Sequence, residues 1–187
     1  MQGKQLMITH YFDPLQKREK VEIRAENYVL EHFKAIELAC ACCQKIRLAA
    51  GFANHLVVLR LTYGRPMLLT SCCRCSAHNQ AVGGHPNSAH LCDKPTKHTE
   101  TVDHGTCGID VANPSDRLIK VAMALGWSVG IAQTFVHLDR IADYSQLKNY
   151  QRLYFYPAVS LGPREHWTQV YPQIQAARKT LEMSWES

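Results

Sequence analysis

An α+β fold, with a small antiparallel sheet and helices packed on one side of it, follows from three observations on the sequence. Apolar residues recur at three and four in the stretch that opens at Ser115, marking an amphipathic helix. WSVGIAQTFVHLDR, at 127–140, alternates with the period of two that a half-buried strand requires. MLLTS, at 67–71, is a short apolar run held between Pro66 and a cysteine cluster, the length of a strand rather than a helix. The chain of 187 residues is long enough for one sizeable core, and its 46% hydrophobic and 20% charged residues are those of a folded chain.

In chain order, residues 1–25 mix short apolar pieces with charge and Pro14, which reads as an extended arm with one strand and a candidate partner contact. The basic run QKREK at 16–20 is expected to be a solvated face. Tyr28, Val29, Phe33 and Ile36 recur at helical spacing and predict an amphipathic helix over 25–36. FANHLVVLRLTY, at 52–63, predicts a helix that stops at Gly64, with Pro66 just beyond. The strand at 67–71 then delivers Arg74 to a loop in which Gly83, Gly84 and Pro86 permit tight turns. Residues 92–104 are almost wholly polar and read as a surface loop.

The helix from Ser115 places Leu118, Val121, Ala122 and Leu125 on one face and ends at Gly126. In the strands that follow, Phe135, His137 and Asp139 share one face and Val136 and Leu138 the other. Beyond Asp143 come tyrosines at 144, 150, 154 and 156, then Pro157, then a helix from about Pro163 that Pro172 kinks or breaks. The expected organisation is an arm at 1–25, a core domain at 26–143 and a C-terminal extension at 144–187 packed on it.

The net charge of +5 and pI of about 8.8 are mild, and the positive charge is spread rather than clustered. Nucleic-acid binding by a cysteine-rich module is therefore the weakest reading of the chain. No run of about 18 apolar residues appears, so no membrane span is expected. The first twenty residues lack an apolar stretch behind a basic start, so synthesis in a cytoplasm without a signal peptide is expected.

The chemistry concentrates in RCSAHNQAVGGHPNSAH, at 74–90, which gathers a cation, histidines, a serine and a glycine pair just after the apolar run. Downstream stand Asp110 in CGIDV and His137 in FVHLD. His90, Asp110 and His137 together offer two imidazoles and a carboxylate, the donor set of catalytic zinc sites that keep one position open. Their spacing is too irregular for one helix, so a sheet and its loops must bring them together.

Of eight cysteines, six fall in two clusters, Cys40, Cys42, Cys43 and Cys72, Cys73, Cys75. Three states stay open for them: reduced and mostly buried thiols, disulfides linking the clusters or joining Cys92 to Cys107, and a second zinc held by four thiolates drawn from both clusters.

The segment MLLTSCCRCSAHNQAVGGHPNSAH, with the preceding HFKAIELACACC and LRLTYGRP, resembles the zinc D-alanyl-D-alanine carboxypeptidase family of metallopeptidases over about residues 33–140. The ELxC and RCxxHN forms look most like members from bacteriophages and bacteria. The resemblance implies one catalytic zinc held by His90, Asp110 and His137. It implies that Arg74 binds the carboxylate at the end of a peptide through paired charge-assisted hydrogen bonds, with Ser88 lining the same pocket.

The chain departs from the family pattern in three places. A polar insertion widens the gap between His90 and Asp110, and brings His98 and His104 as rival ligands; a long loop costs little, because closure entropy grows only logarithmically. Thr106 and Gly108 replace small residues ahead of Asp110. Thr134 stands where some relatives carry a glutamate base, which leaves Asp139 either as the substitute base or as the group that orients His137, and leaves His78 with a structural role.

The function expected is a zinc peptidase acting on the stem peptides of peptidoglycan, at the cell wall or in association with a virion. The alternative is a non-catalytic structural or binding component of a phage particle that keeps the peptidase fold and contacts other phage proteins.

Overall fold

The computed structural model describes residues 8–12, 19–23, 31–94, 105–144 and 153–183. His98, His104, Tyr150, the first half of the helix expected over 25–36 and most of the polar loop at 92–104 lie outside the described residues.

The arm holds two strands rather than one. β1 (Ile8–Phe12) and β2 (Glu19–Ile23) pair antiparallel, with Ile8 opposite Ile23 and Phe12 opposite Glu19. ITHYF is rich in β-formers and EKVEI carries two, Val21 and Ile23, and a strand of this length gains backbone partners only by pairing.

The main sheet has five strands: β3 (Leu69–Ser71), β4 (Gly108–Ala112), β5 (Ser128–Ile131), β6 (Phe135–Asp139) and β7 (Leu153–Phe155). Their order is β3-β4-β6-β5-β7. The neighbours from β3 to β5 run antiparallel, but β7 lies parallel to β5, so the sheet is mixed rather than purely antiparallel. β5 and β6 form a hairpin, and β7 occupies the edge beyond β5, running in the same direction as β5.

Four helices flank the sheet or lead into it: α1 (Ala35–Leu38), α2 (Phe52–Tyr63), α3 (Ser76–Ala81) and α4 (Asp116–Ala124). A single turn, α5 (Ile141–Tyr144), follows β6 directly, and α6 (Leu161–Met183) closes the chain with Pro172 inside it. Helix α2 ends at Gly64 in a left-handed conformation, φ 73°, as the glycine and proline signals predict. Helix α4 opens on Ser115, whose hydroxyl accepts the Leu118 N–H, and the chain leaves it through Gly126 at φ 79°. Ile36 contradicts the apolar face expected over 25–36: it is 74% exposed, while Phe33 and Leu38 carry the burial there.

The core lies between the sheet and these helices. Ile109, Val111, Val136 and Leu138 of the central strands join Phe52, Leu56 and Leu59 of α2, Leu118 and Met123 of α4, Trp127 and Trp167 in one buried cluster. The alternation read at 135–139 thus has the direction expected, with Val136 and Leu138 in the core. The opposite face carries Asp110, His137 and Asp139. No helix among the described residues is long and apolar enough to cross a membrane.

Candidate metal centre and cleft

The register of the sheet assembles the centre. Ser71 pairs with Asp110, Asp110 with His137, His137 with Gly130, and Gly130 with Tyr154, so one row of residues crosses all five strands. Residues directly opposite on neighbouring strands stand on the same face, which explains how positions far apart in sequence converge. A register irregularity in β3 between Leu69 and Ser71 lets the strand bend where it leads to Arg74.

His90 is the ligand candidate that the sheet does not carry. Its segment is strapped to the residues after β3, with the Arg74 N–H donating to the His90 carbonyl at 2.7 Å and the Cys92 N–H to the Arg74 carbonyl at 3.0 Å. The Thr106 hydroxyl also donates to the His90 carbonyl, at 2.8 Å. Two glycines leave room. A Cβ on Gly108 would meet the Ala89 Cβ at 2.7 Å, and one on Gly130 would meet the Tyr154 ring at 2.4 Å. Upstream, buried Asn79 donates to the His85 carbonyl at 3.0 Å, and a Cβ on Gly84 would meet its side chain at 2.2 Å, which gives the HNxxVGG pattern a local steric cause.

The donor atoms of His90, Asp110 and His137 all lie within 4.8 Å of one another. His90 Nε2 stands 3.2 Å and His137 Nδ1 2.8 Å from the same oxygen, Asp110 Oδ1, and the two ring nitrogens are 3.1 Å apart. The other nitrogen of each ring is engaged elsewhere. His90 Nδ1 donates to the Cys72 carbonyl at 2.7 Å, which leaves the Nε2 lone pair facing the centre. His137 Nε2 is 3.3 Å from Asp139 Oδ2. That oxygen has no aligned hydrogen bond, so the contact is an ion-pair approach, while Asp139 Oδ1 accepts the Ile141 N–H at 3.0 Å and starts α5. Two imidazoles, one held from behind by a hydrogen bond and the other by an ion-pair approach, and one carboxylate fit a zinc ion of open coordination.

Arg74 completes the constellation from the side. One terminal nitrogen donates to Asp110 Oδ2 at 2.6 Å and Nε donates to the Ser71 hydroxyl at 2.8 Å. Burial raises the Asp110 carboxyl, but hydrogen bonds from His137 and His90 outweigh it and hold the group far below the usual carboxylate range. Burial also opposes a charge on His137, and Asp110 and Asp139 reverse this, raising it to about 9. For His90 burial is the largest influence and holds it below the ordinary histidine range, although Asp110 pulls the other way.

The centre lines a cleft of about 900 Å³, within the range of small-molecule ligand sites. Gly83, Gly84, His85 and Ser88 line one side, and Phe135, Tyr154 and Tyr156 another. Ser88 sits on the cleft wall and accepts the His90 N–H at 3.2 Å. Thr134 lies exposed in the β5–β6 turn, away from the centre. The His78 N–H caps α3 on Cys75, and its side chain is absent from the cleft lining.

Sequence reasoning had missed Ser71, Gly108, Gly130, Tyr154 and Tyr156. The signal for the tyrosines was present in their spacing of two, which puts both rings on one face of a strand. Phe135 and Tyr156 have ring centroids 5.2 Å apart, Tyr154 and Tyr156 5.8 Å, and His137 and Tyr154 6.3 Å, so the aromatic wall is continuous with the metal centre.

The Peptidase M15 family model matches residues 31–139, more than half of the chain, and this span contains Arg74, His90, Asp110 and His137. No curated protein and no solved structure matches the chain. The matched span ends on Asp139, so β7, with Tyr154, and Tyr156 just after it come from outside it. The chain belongs to the M15 peptidases, a family of zinc-dependent metallopeptidases.

Proposed function

We propose that the chain is a zinc peptidase that hydrolyses peptidoglycan stem peptides, as a D,D-carboxypeptidase or endopeptidase in cell-wall lysis or remodelling. The observation that carries this reading is the convergence of His90 Nε2, Asp110 Oδ1 and His137 Nδ1 in the lining of an open cleft. Zinc, when bound, supplies Lewis acidity to the scissile carbonyl and acidifies the attacking water.

The chain's own residues orient and select. Arg74 anchors Asp110 through Oδ2 and keeps Oδ1 turned toward the histidines. Its other terminal amino group makes no protein hydrogen bond among the described residues, and it is the donor for the carboxylate of a peptide end. Ser88 lines the path of the same chain end. Asp139 is 1% exposed and approaches His137 Nε2 at 3.3 Å, so its role is to position that imidazole electrostatically. Tyr154, Tyr156 and Phe135 offer an apolar wall with hydroxyl tips, suited to the aliphatic side chains and amides of a short peptide.

Terminal amino acids released from stem peptides, or peptide bonds cleaved within or between them, by the purified chain acting on peptidoglycan, abolished by a chelator and restored by zinc, test the reading. Absence of any such cleavage at full zinc occupancy of the histidine centre rejects it.

One observation favours the alternative, a non-catalytic wall-binding or structural component of a phage particle. The carboxylates lining the cleft are Asp110 and Asp139, one turned to the histidines and the other buried behind His137. A His137→Ala variant separates the two readings: a peptidase loses turnover, whereas a binding module keeps its affinity for wall fragments.

A further inference from the structure

We propose that Cys40, Cys42, Cys43 and Cys75 hold a second zinc ion as four thiolates, in a closed structural site that clips the loop after α1 to the start of α3. The sulfurs all lie within 4.8 Å of one another. Cys40 and Cys42 are 3.8 Å apart and Cys42 and Cys75 3.1 Å. Four sulfurs bound tetrahedrally at about 2.3 Å from one zinc stand about 3.8 Å apart, so Cys40 and Cys42 already have that spacing and Cys42 and Cys75 reach it by a small outward shift.

The local backbone is built for it. Cys40 and Cys43 have the CxxC spacing common in structural zinc sites, a pattern that the reading as CxCC obscured. Gln44 follows in the left-handed region at φ 57°. Its N–H donates to the Cys40 carbonyl at 2.8 Å, while the Cys40 N–H donates to the Lys45 carbonyl at 3.0 Å, closing a tight knuckle. The Cys75 N–H donates to Cys40 Sγ at 3.3 Å, and Cys75 Sγ accepts the His78 N–H at 3.4 Å. Amides aimed at sulfur stabilise thiolate, the form that binds metal.

Burial raises the Cys40 thiol, but amides of Cys75, Cys43 and Cys42 outweigh it and bring it down to about 6. Cys42, hydrogen-bonded to Cys75, is pushed up to about 12. Thiols this close cannot all ionise unless a cation joins them.

The second cluster does not join as a unit. Cys72 and Cys73 are buried in the core, and Cys73 Sγ accepts the Arg47 N–H at 3.3 Å. Cys92 and Cys107 are buried as well, and all eight cysteines are free thiols. The ligand from the second cluster is Cys75, next to Arg74. The clip therefore braces the residue that anchors Asp110, and its occupancy does not depend on the proposed peptidase activity.

Zinc content per chain and cobalt-substituted spectra of the full chain, prepared under reducing conditions, test the proposal. Wild type is expected to hold two equivalents. His137→Ala is expected to keep one, with the near-ultraviolet charge-transfer band of cobalt bound to thiolate. The double variant Cys42→Ser, Cys43→Ser is expected to lose that band while keeping metal at the histidine centre. A His137→Ala chain that holds no metal, or whose cobalt form lacks the thiolate band, overturns the proposal, as does a Cys42–Cys75 disulfide in the native chain. The first two measurements decide the matter even if the cysteine variant does not fold.

Discussion

The histidine centre and the cysteine knuckle are two metal-ligand clusters built on opposite plans. The first draws His90, Asp110 and His137 from a loop and two paired strands, buries all three and leaves a cleft of about 900 Å³ above them. The second takes three of its members, Cys40, Cys42 and Cys43, from one turn and adds Cys75 at a helix start, with Cys42 exposed. Three protein donors facing a cleft leave a position for substrate or water, whereas four thiolates close the coordination shell. The donor count and the space around it, rather than burial, separate a centre fit for chemistry from one fit for bracing.

The sharpest way to break this comparison is to remove one ligand from the open centre. His137→Ala should lower kcat/KM on stem peptides by on the order of 10³-fold or more, since a Lewis acid contributes several kcal/mol. Its thermal stability should fall far less than its activity. Equal loss of both would mean that the centre is structural.

Arg74 comes next. Replacement by Lys removes the planar fork, and kcat/KM should fall about 10²-fold for a peptide with a free terminal carboxylate. Amidating the peptide end should cost wild type a similar factor and the variant little. Equal discrimination by both proteins would separate Arg74 from substrate selection.

Asp139→Asn, with Oδ2 lost from behind His137, should weaken zinc binding at the open centre by about 10–100-fold. Excess zinc should restore most of the rate. If it does not, Asp139 handles a proton in turnover rather than positioning His137.

The smallest effect on activity is expected from the closed site. The pair Cys42→Ser, Cys43→Ser should lower Tm by on the order of 10 °C, with kcat/KM changing only severalfold through Arg74. This pair also isolates the open centre for a pH test. His137 is raised to about 9 before metal binds, so it is protonated at neutral pH, yet it must be neutral to ligate. Zinc uptake should therefore release a proton, with apparent affinity rising as pH climbs toward about 9 and levelling above it. For the metal-free fold the sign is opposite. The raised folded value adds stability that is present in full below 6.5 and lost as pH rises through about 9. Calorimetry in buffers of different ionisation enthalpy checks the first statement, and melting curves without zinc check the second.

Much of this was legible in the sequence because it is local. Gly64 and Gly126 stop α2 and α4, Ser115 caps α4, and the period of two at 135–139 sorts His137 and Asp139 from Val136 and Leu138. The donor set could be named from residue chemistry alone.

What depends on long-range pairing was not legible. The parallel attachment of β7 to β5 decides that Tyr154 lies beside His137, and nothing in LYF announces its partner strand. The cysteine clusters failed for a related reason: spacing groups Cys72, Cys73 and Cys75 together, but what each side chain packs against is set by segments distant in sequence. Cys72 and Cys73 went to the core and Cys75 to the knuckle.

The central claim is that two imidazoles and one carboxylate hold zinc with a position left open. An anomalous difference map at the zinc edge, from crystals of the zinc-loaded full chain, tests it most directly. The account predicts a peak about 2.0–2.2 Å from His90 Nε2, Asp110 Oδ1 and His137 Nδ1, with no fourth protein ligand. No peak at that position, or a fourth side chain closing the shell, would contradict it.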